Sequence, residues 1–168
     1  MTVAAAPSPS SRLLAFAADI KLSHSVFALP FALLAATLAA RTPQANWGAW
    51  SFVLVVVCMV CARTVAMAAN RLLDADGDRL NPRTARRALP SGQLGRGYVL
   101  AMIALFSAGF VAAAAGFGAI YGNWWPAWLA VPVLVFLAVY PLLKRFTLLC
   151  HYYLGAALAL APICAWVA

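Results

Sequence analysis

The sequence contains no glutamate, and its four acidic side chains are all aspartates in a chain of 168 residues. Charged residues of both signs make up only 10% of the chain, whereas hydrophobic residues make up 65% and the mean hydropathy is +0.90. Soluble domains carry about 25% charged residues, so this composition excludes an ordinary soluble protein. The long basic or aromatic faces that bind nucleic acid are also absent, and we expect no nucleic-acid partner.

Histidine and cysteine are scarce too, with two and four residues respectively. Cys58 and Cys61 form a Cys-x2-Cys pair, but the pair lies inside an apolar segment and has no second pair to complete a metal site. Small apolar packing residues are therefore the favoured interpretation, and the sequence predicts no disulfide framework.

Long hydrophobic runs are what the chain has instead. A membrane-crossing helix needs about 20 apolar residues, and five segments meet or approach this length, near residues 25–40, 48–70, 98–120, 124–143 and 148–168. The runs are continuous and do not alternate with period two, which favours helices over a barrel. We predict an all-α fold, a multi-span transmembrane helical bundle of about five helices that forms one domain over residues 12–168, after a disordered Pro/Ser-rich lead over residues 1–11.

The basic residues predict the orientation in the membrane. If the N-terminus is cytoplasmic, ten basic residues fall on the cytoplasmic side and only Arg41 lies outside: Arg12, Lys21, Arg71, Arg79, Arg83, Arg86, Arg87, Arg96, Lys144 and Arg145. This asymmetry and the placement of all six tryptophans near external span ends favour a cytoplasmic N-terminus and a cytoplasmic loop over residues 71–97. We expect an integral protein of a bacterial inner membrane.

Both chain ends carry an expectation. A cleaved signal peptide within residues 1–40 is the less favoured alternative to a first span, because Lys21 lies too deep in that segment. At the other end, the sequence stops at Ala168 inside an apolar run with no polar residue after it. We therefore expect this chain to be incomplete.

Three of the four aspartates lie together, at the end of the second apolar segment. Asn70, Asp74 and Asp78 are spaced i, i+4, i+8, so they share one face if the helix continues past the membrane edge, and Asp76 then points the opposite way. Carboxylate and amide oxygens suit Mg²⁺, which substrate phosphate commonly completes. The row predicts a magnesium site for a metal-bridged diphosphate.

Cations accompany this row. Arg83, Thr84 and Arg87 follow the turn residues at 81–82, and guanidinium groups bind phosphate bidentately. Arg63 lies seven residues before Asn70 on the same helical face, inside the apolar segment, where a buried cation needs an anion. A solvated loop without function is the alternative. A calcium loop of the EF-hand type is excluded, because Gly77 lies between the acids and Ala85 occupies the last ligand position.

The segment resembles the first aspartate-rich motif of the UbiA superfamily of intramembrane prenyltransferases, most closely the 4-hydroxybenzoate polyprenyltransferases and relatives assigned to menaquinone biosynthesis. The matching residues are Arg63, Asn70, Asp74, Asp78, Arg83, Thr84, Arg87, Leu89, Pro90 and Gly92. Two other segments are similar to parts of the family, residues 20–31 to its first helix and residues 140–155 to the connection between its fourth and fifth helices.

The resemblance implies a fold, an activity and a set of roles. The fold would be the first half of a nine-helix bundle, in which Asn70, Asp74 and Asp78 hold Mg²⁺ and catalyse transfer of a polyprenyl group from polyprenyl diphosphate to an aromatic acceptor, 4-hydroxybenzoate, in ubiquinone or menaquinone biosynthesis. The substrate-binding candidates are Lys21, His24, Arg63, Arg83, Thr84, Arg87, Tyr140, Lys144 and Arg145. His24 would hold the acceptor carboxylate, and an interfacial histidine without a catalytic role is an open alternative.

Two departures from the family pattern stand out. Arg71 occupies the position where the family commonly has aspartate, and no acidic residue follows Asp78, so the family's second aspartate-rich motif is missing. A complementary C-terminal half is therefore an expected partner, beside the lipid bilayer. The alternatives are a superfamily enzyme for haem, naphthoate or chlorophyll precursors, a non-catalytic or degenerate membrane subunit, and, least favoured, a small transporter of anionic lipids or phosphates.

Overall fold

The structure is a computed structural model that describes residues 9–21, 29–43 and 46–168, and these ranges contain no strand. The six helices in them are α1 (Pro9–Asp19), α2 (Leu29–Ala39), α3 (Ala49–Leu80), α4 (Arg96–Tyr121), α5 (Trp125–Leu143) and α6 (Cys150–Val167). Helices α3 to α6 are each long and apolar enough to cross a membrane. The predicted all-α helical bundle is confirmed.

The predicted spans and the helices agree closely, with differences at the N-terminal end. Predicted span 25–40 corresponds to α2, whose described part has 11 residues, and residues 22–28 lie outside the described ranges. Helix α1 begins at Pro9, inside the segment predicted as a disordered lead. Proline is well suited to the first turn of a helix, where its missing N–H has no intrahelical partner. The lead is therefore helical from residue 9 onward.

The predicted loop 71–97 is shorter in the structure, because α3 continues to Leu80 and α4 begins at Arg96. Hydropathy falls near residue 70, but nothing there breaks a helix, and a single Gly77 costs only about 1 kcal/mol. The break comes at Asn81, which is extended (φ −101°, ψ 118°) as a residue before proline prefers to be. We call residues 81–95 the motif loop.

Helix α3 lies at the centre of the bundle and contacts α2, α4 and α5, while α6 closes the arrangement between α5 and α2. Small residues let α3 and α4 approach closely: a methyl group added at Gly109 would lie 3.3 Å from Cys61 Sγ, and one added at Gly116 would lie 3.1 Å from Leu54. Lipid tails are as apolar as the helices, so the hydrophobic effect does not drive helices together in a membrane. They associate through close packing of this kind instead.

The bundle has two chemically different ends. At one end, Asn123 donates to the carbonyl oxygen of Val167 at 2.8 Å, and this end carries the exposed tryptophans Trp50, Trp124, Trp125, Trp128 and Trp166. At the other end, the last turns of α3 meet the residues that follow α5. A tryptophan-rich end opposite a charged end is what the predicted orientation requires, and the cytoplasmic placement of the charged end stays a prediction.

Candidate functional site

The site begins with the part of α3 that extends past its apolar segment. Because a helix turns once in 3.6 residues, Asn70, Asp74 and Asp78 lie on one face of it. We call these three residues the carboxylate row. The side chains of Asp74 and Asp78 are 17% and 13% exposed, whereas that of Asp76 is 75% exposed. The row is therefore sheltered and Asp76 faces away, as the spacing predicts.

The end of α5 brings two cations to the row. The Lys144 ammonium donates to Asn70 Oδ1 at 3.0 Å and to a carboxylate oxygen of Asp74, so one cation serves two members of the row. Arg145 donates to the backbone carbonyl oxygen of Leu73. The structure therefore brings Lys144 and Arg145 to the α3 helix, 70 or more residues away in sequence.

The motif loop supplies a third cation. Arg87 Nη1 lies 2.6 Å from Asp78 Oδ2. The loop is folded back on the helix end by the buried Thr84, whose hydroxyl donates to the Asp78 carbonyl oxygen at 3.0 Å, and by Asn81, whose Oδ1 accepts from the backbone N–H of Arg83 at 3.0 Å. The Thr84 hydroxyl thus satisfies a carbonyl group that the end of α3 leaves open, and the Asn81 side chain stabilises the turn that follows.

Two predicted residues, Arg83 and Lys21, are not drawn into this arrangement. Arg83 is exposed, and so is Lys21, which follows α1 with a positive φ of 50°. Within the described ranges neither forms an ion pair with an aspartate. His24 lies outside the described residues. Their binding of substrate stays a prediction.

An apolar cavity of about 190 Å³ adjoins the row. Asn70 and Tyr140 line the cavity at the end next to the row, Arg63 lines it two turns before Asn70, and it reaches Val55 and Phe117 near the tryptophan-rich end. The α3 segment from residue 55 to residue 70 spans about 22 Å. Buried Arg63 Nε has no hydrogen-bond partner among the described residues. The cavity thus offers a long apolar wall and one uncompensated donor beside the row.

The row fits a divalent cation. An amide and a carboxylate oxygen already converge on the Lys144 ammonium, which shows that both can face a single cation, and such oxygens are the ligands of Mg²⁺. The helix rises about 12 Å over the eight steps from Asn70 to Asp78, which is too far for both side chains to bind one ion directly. The described ranges hold no cluster of three or more His, Cys, Asp or Glu side chains around one point.

Sequence reasoning missed two ion pairs of the same region. Asp19 pairs with Arg71, Nε lying 4.0 Å from Oδ1, and Asp76 pairs with Arg96 on the opposite face of α3. The available signal was Asp19 itself, because an isolated carboxylate in an apolar segment must find a partner. Nothing in the spacing of the chain indicates that the partner would be Arg71.

Comparison with known proteins shows which family this helical fold belongs to. The profile of the UbiA prenyltransferase family matches residues 28–168. The solved apo structure of a UbiA homolog from Aeropyrum pernix K1 superimposes with a TM-score of 0.76 at 34% sequence identity. The match covers 86% of this chain and 49% of that one, so this chain spans about half the length of its solved relative. A search of curated proteins gave no match.

Proposed function

This chain belongs to the UbiA prenyltransferase family and is an integral membrane protein, and from that premise we propose that it binds the donor in a Mg²⁺-dependent polyprenyl transfer. The donor is a polyprenyl diphosphate. The favoured acceptor is 4-hydroxybenzoate, which would assign the chain to quinone biosynthesis. Naphthoate, haem and chlorophyll precursors are the alternative acceptors.

One observation carries the proposal: the sheltered carboxylate row, with its cations, stands at the mouth of a long apolar cavity. A polyprenyl diphosphate has the same division, with a charged head and an apolar tail. The cavity would take the allylic part of the tail, while the head meets the row. Arg63 and Tyr140 lie where head and tail join, so the unpaired Arg63 Nε can donate to a diphosphate oxygen.

Asn70 and Asp74 would hold a magnesium ion together, and Asp78 would act through water or on a second ion. Bound magnesium would neutralise the diphosphate and stabilise it as a leaving group. The rise of α3 separates Asn70 from Asp78, so one ion would not contact all three residues directly.

The chain's own cations act on the diphosphate. Lys144 and Arg87 are held by Asp74 and Asp78 in the structure, and Arg145 lies beside them. With a metal on the row, the charges of Lys144 and Arg87 would be available to phosphate oxygens, as that of Arg145 already is. The allylic C–O bond then breaks, with its electron pair leaving on the diphosphate. A ring carbon of the acceptor bonds the allylic carbon and loses its proton, so these groups act by stabilising charge in place.

The exposed helix faces suggest what covers the bundle. Only 11% of the most apolar stretch of α5 is buried inside the bundle, and the same is true of α6. Lipid covers part of this surface, and we propose that a complementary C-terminal half with a second aspartate-rich motif covers the rest. The half that is present supplies one metal site and the donor cavity.

The test is polyprenyl transfer in membranes that contain this chain, alone and together with the C-terminal half of the Aeropyrum pernix homolog. We expect Mg²⁺-dependent prenylation of 4-hydroxybenzoate, with a loss of at least about 100-fold in Asp74→Asn. Asp76→Asn is the matched control, since it removes an aspartate two residues away that faces outward. Equal activity in wild type and Asp74→Asn, or no activity with any of the aromatic acceptors, would contradict the proposal.

A further inference from the structure

A buried ion pair joins α1 to α3 next to the carboxylate row. Asp19 ends α1, Arg71 lies in α3, and their side chains are 7% and 8% exposed. Arg71 Nε donates to the Asp19 backbone carbonyl oxygen at 3.0 Å and lies 4.0 Å from its carboxylate. The guanidinium therefore sits at the C-terminal end of α1, where open carbonyl groups and the helix dipole favour a cation.

The same aspartate also faces the motif loop. Burial raises the pKa of Asp19 above its ordinary value, and the Arg71 charge, the Ala88 backbone N–H and the Arg87 charge oppose this rise. Asp19 thus lies close to the loop as well as to its partner Arg71 in α3.

Apolar contacts support the same junction. Phe16 and Ile20, at the end of α1, are 3% and 4% exposed and pack in one cluster with Ala88, Leu89 and Leu94 of the motif loop. The cluster also includes residues of α3 and α4. Helix α1 is therefore packed against the loop as well as against the bundle.

The chain neighbours of this junction are residues of the candidate site. Arg71 directly follows Asn70 and lies seven residues, about two turns, before Asp78 in α3, so it shares the side of the helix that carries Asp78. On the loop side, Ala88 directly follows Arg87, which pairs with Asp78 at 2.6 Å. The Asp19–Arg71 pair thus adjoins the row through the neighbour of Asn70, and the end of α1 adjoins Arg87 through its packing on Ala88.

We propose that Asp19 and Arg71 are positioning residues, which hold the motif loop against α3 so that Arg87 meets Asp78 beside the metal-binding oxygens. Their effect on the cation site rests on the proposed function, whereas their effect on the loop does not. Both residues act through their neighbours and contact no substrate.

The test uses the full 168-residue chain in lipid nanodiscs and measures two quantities. Hydrogen–deuterium exchange follows the backbone of residues 81–95, and Mn²⁺ titration, read by electron paramagnetic resonance, measures the affinity of the row for a divalent metal. The variants are Asp19→Asn, Arg71→Gln and the conservative Arg71→Lys. Asp76→Asn is the matched control, because it removes an exposed ion pair on the other face of α3.

We expect exchange in residues 81–95 to rise at least about tenfold in Asp19→Asn and Arg71→Gln, since removing one member of a buried pair leaves the other uncompensated. Mn²⁺ affinity should fall about tenfold in the same two variants. Arg71→Lys keeps the charge but loses the planar guanidinium, so it should recover part of both effects. It also carries the test if either of the other variants fails to fold. Asp76→Asn should match wild type.

Two results would overturn the proposal. Faster exchange confined to residues 9–21 would mean that the pair anchors only α1. Faster exchange of the loop with unchanged Mn²⁺ affinity would show that the loop does not position the cation site. If the wild type binds no Mn²⁺, the proposed metal site fails, and exchange in the loop still decides whether Asp19 and Arg71 hold it.

Discussion

At the residue scale, Lys144 is the side chain that links the end of α5 to the carboxylate row of α3. Its ammonium donates to Asn70 and Asp74, so it occupies the oxygens that we assign to a divalent metal. Lys144 neutralises the Asp74 carboxylate and Arg87 neutralises the Asp78 carboxylate, so neither sheltered carboxylate of the row is left unpaired. A metal bound at these oxygens would therefore have to displace Lys144.

This displacement predicts opposite effects of one substitution on two ligands. Lys144→Met removes a competing cation, so Mn²⁺ alone should bind about tenfold more tightly, equivalent to about 1.4 kcal/mol. Inorganic diphosphate with Mg²⁺ should bind about tenfold more weakly, because a phosphate-binding charge is lost. Calorimetric titration of both ligands measures this difference.

Arg145→Met is the control for that substitution, since Arg145 contacts the Leu73 backbone carbonyl and no carboxylate. It should leave the Mn²⁺ affinity unchanged. Weaker Mn²⁺ binding in Lys144→Met would show that the ammonium does not share the metal's oxygens.

Much of the row could be predicted because its information is local. The i, i+4, i+8 spacing is enough to put Asn70, Asp74 and Asp78 on one helical face, and the structure agrees. The Asp19–Arg71 pair joins residues 52 positions apart, and no local pattern encodes such a contact. Short-range periodicity thus predicts faces of helices, whereas partners across the bundle depend on the packing of the whole chain.

At the element scale, α3 is the helix that carries the site out of the membrane. Its 32 residues span about 48 Å, which exceeds the roughly 30 Å thickness of a hydrocarbon core. The excess is about twelve residues long at 1.5 Å per residue. The extension lifts the row to the charged end of the bundle. Hydropathy predicts where the apolar part ends, but caps and prolines decide where the helix ends.

Helix α4 provides a test of how tightly the tryptophan-rich end is packed. A methyl group added at Gly118 would overlap the Trp124 ring, whereas one added at Gly97 in the same helix meets nothing within 4 Å. Gly118→Ala should destabilise the protein by about 1–3 kcal/mol through overpacking. Gly97→Ala should be neutral or stabilise it by up to about 1 kcal/mol, because alanine is the better helix former.

Thermal unfolding in detergent, followed by circular dichroism, compares these two alanine variants with wild type. We expect the midpoint to fall for Gly118→Ala alone. Equal midpoints for both variants would mean that Trp124 does not pack on α4 in the membrane protein.

At the scale of the whole molecule, the polarity of the bundle predicts its orientation. The charged end carries the motif loop, and the opposite end carries the exposed tryptophans. With the four native cysteines replaced by alanine, Asn46→Cys should react with a membrane-impermeant maleimide in intact spheroplasts. Gln93→Cys, in the motif loop, should react only after permeabilisation. The reverse pattern would contradict the cytoplasmic placement of the site.

The family and fold of the chain could be inferred from its sequence, because apolar length and one dense motif carry both. The helical class and four membrane-length helices follow from runs of apolar residues. The shape of the donor cavity depends on which small residues of α3 to α6 face one another, and apolar sequence has little periodicity to reveal this. The acceptor pocket likewise lies beyond what one aspartate-rich motif encodes.

The most direct measurement of the central claim is the binding of a polyprenyl diphosphate to this chain, with and without Mg²⁺, in wild type, Asp74→Asn, Asp78→Asn and Asp76→Asn. We predict Mg²⁺-dependent binding that weakens at least about tenfold in Asp74→Asn and Asp78→Asn, since each loses a charged oxygen ligand. Asp76→Asn, on the opposite face, should bind as wild type does. Binding that ignores Mg²⁺, or that falls equally in all three variants, would contradict a metal–diphosphate site on this face of α3.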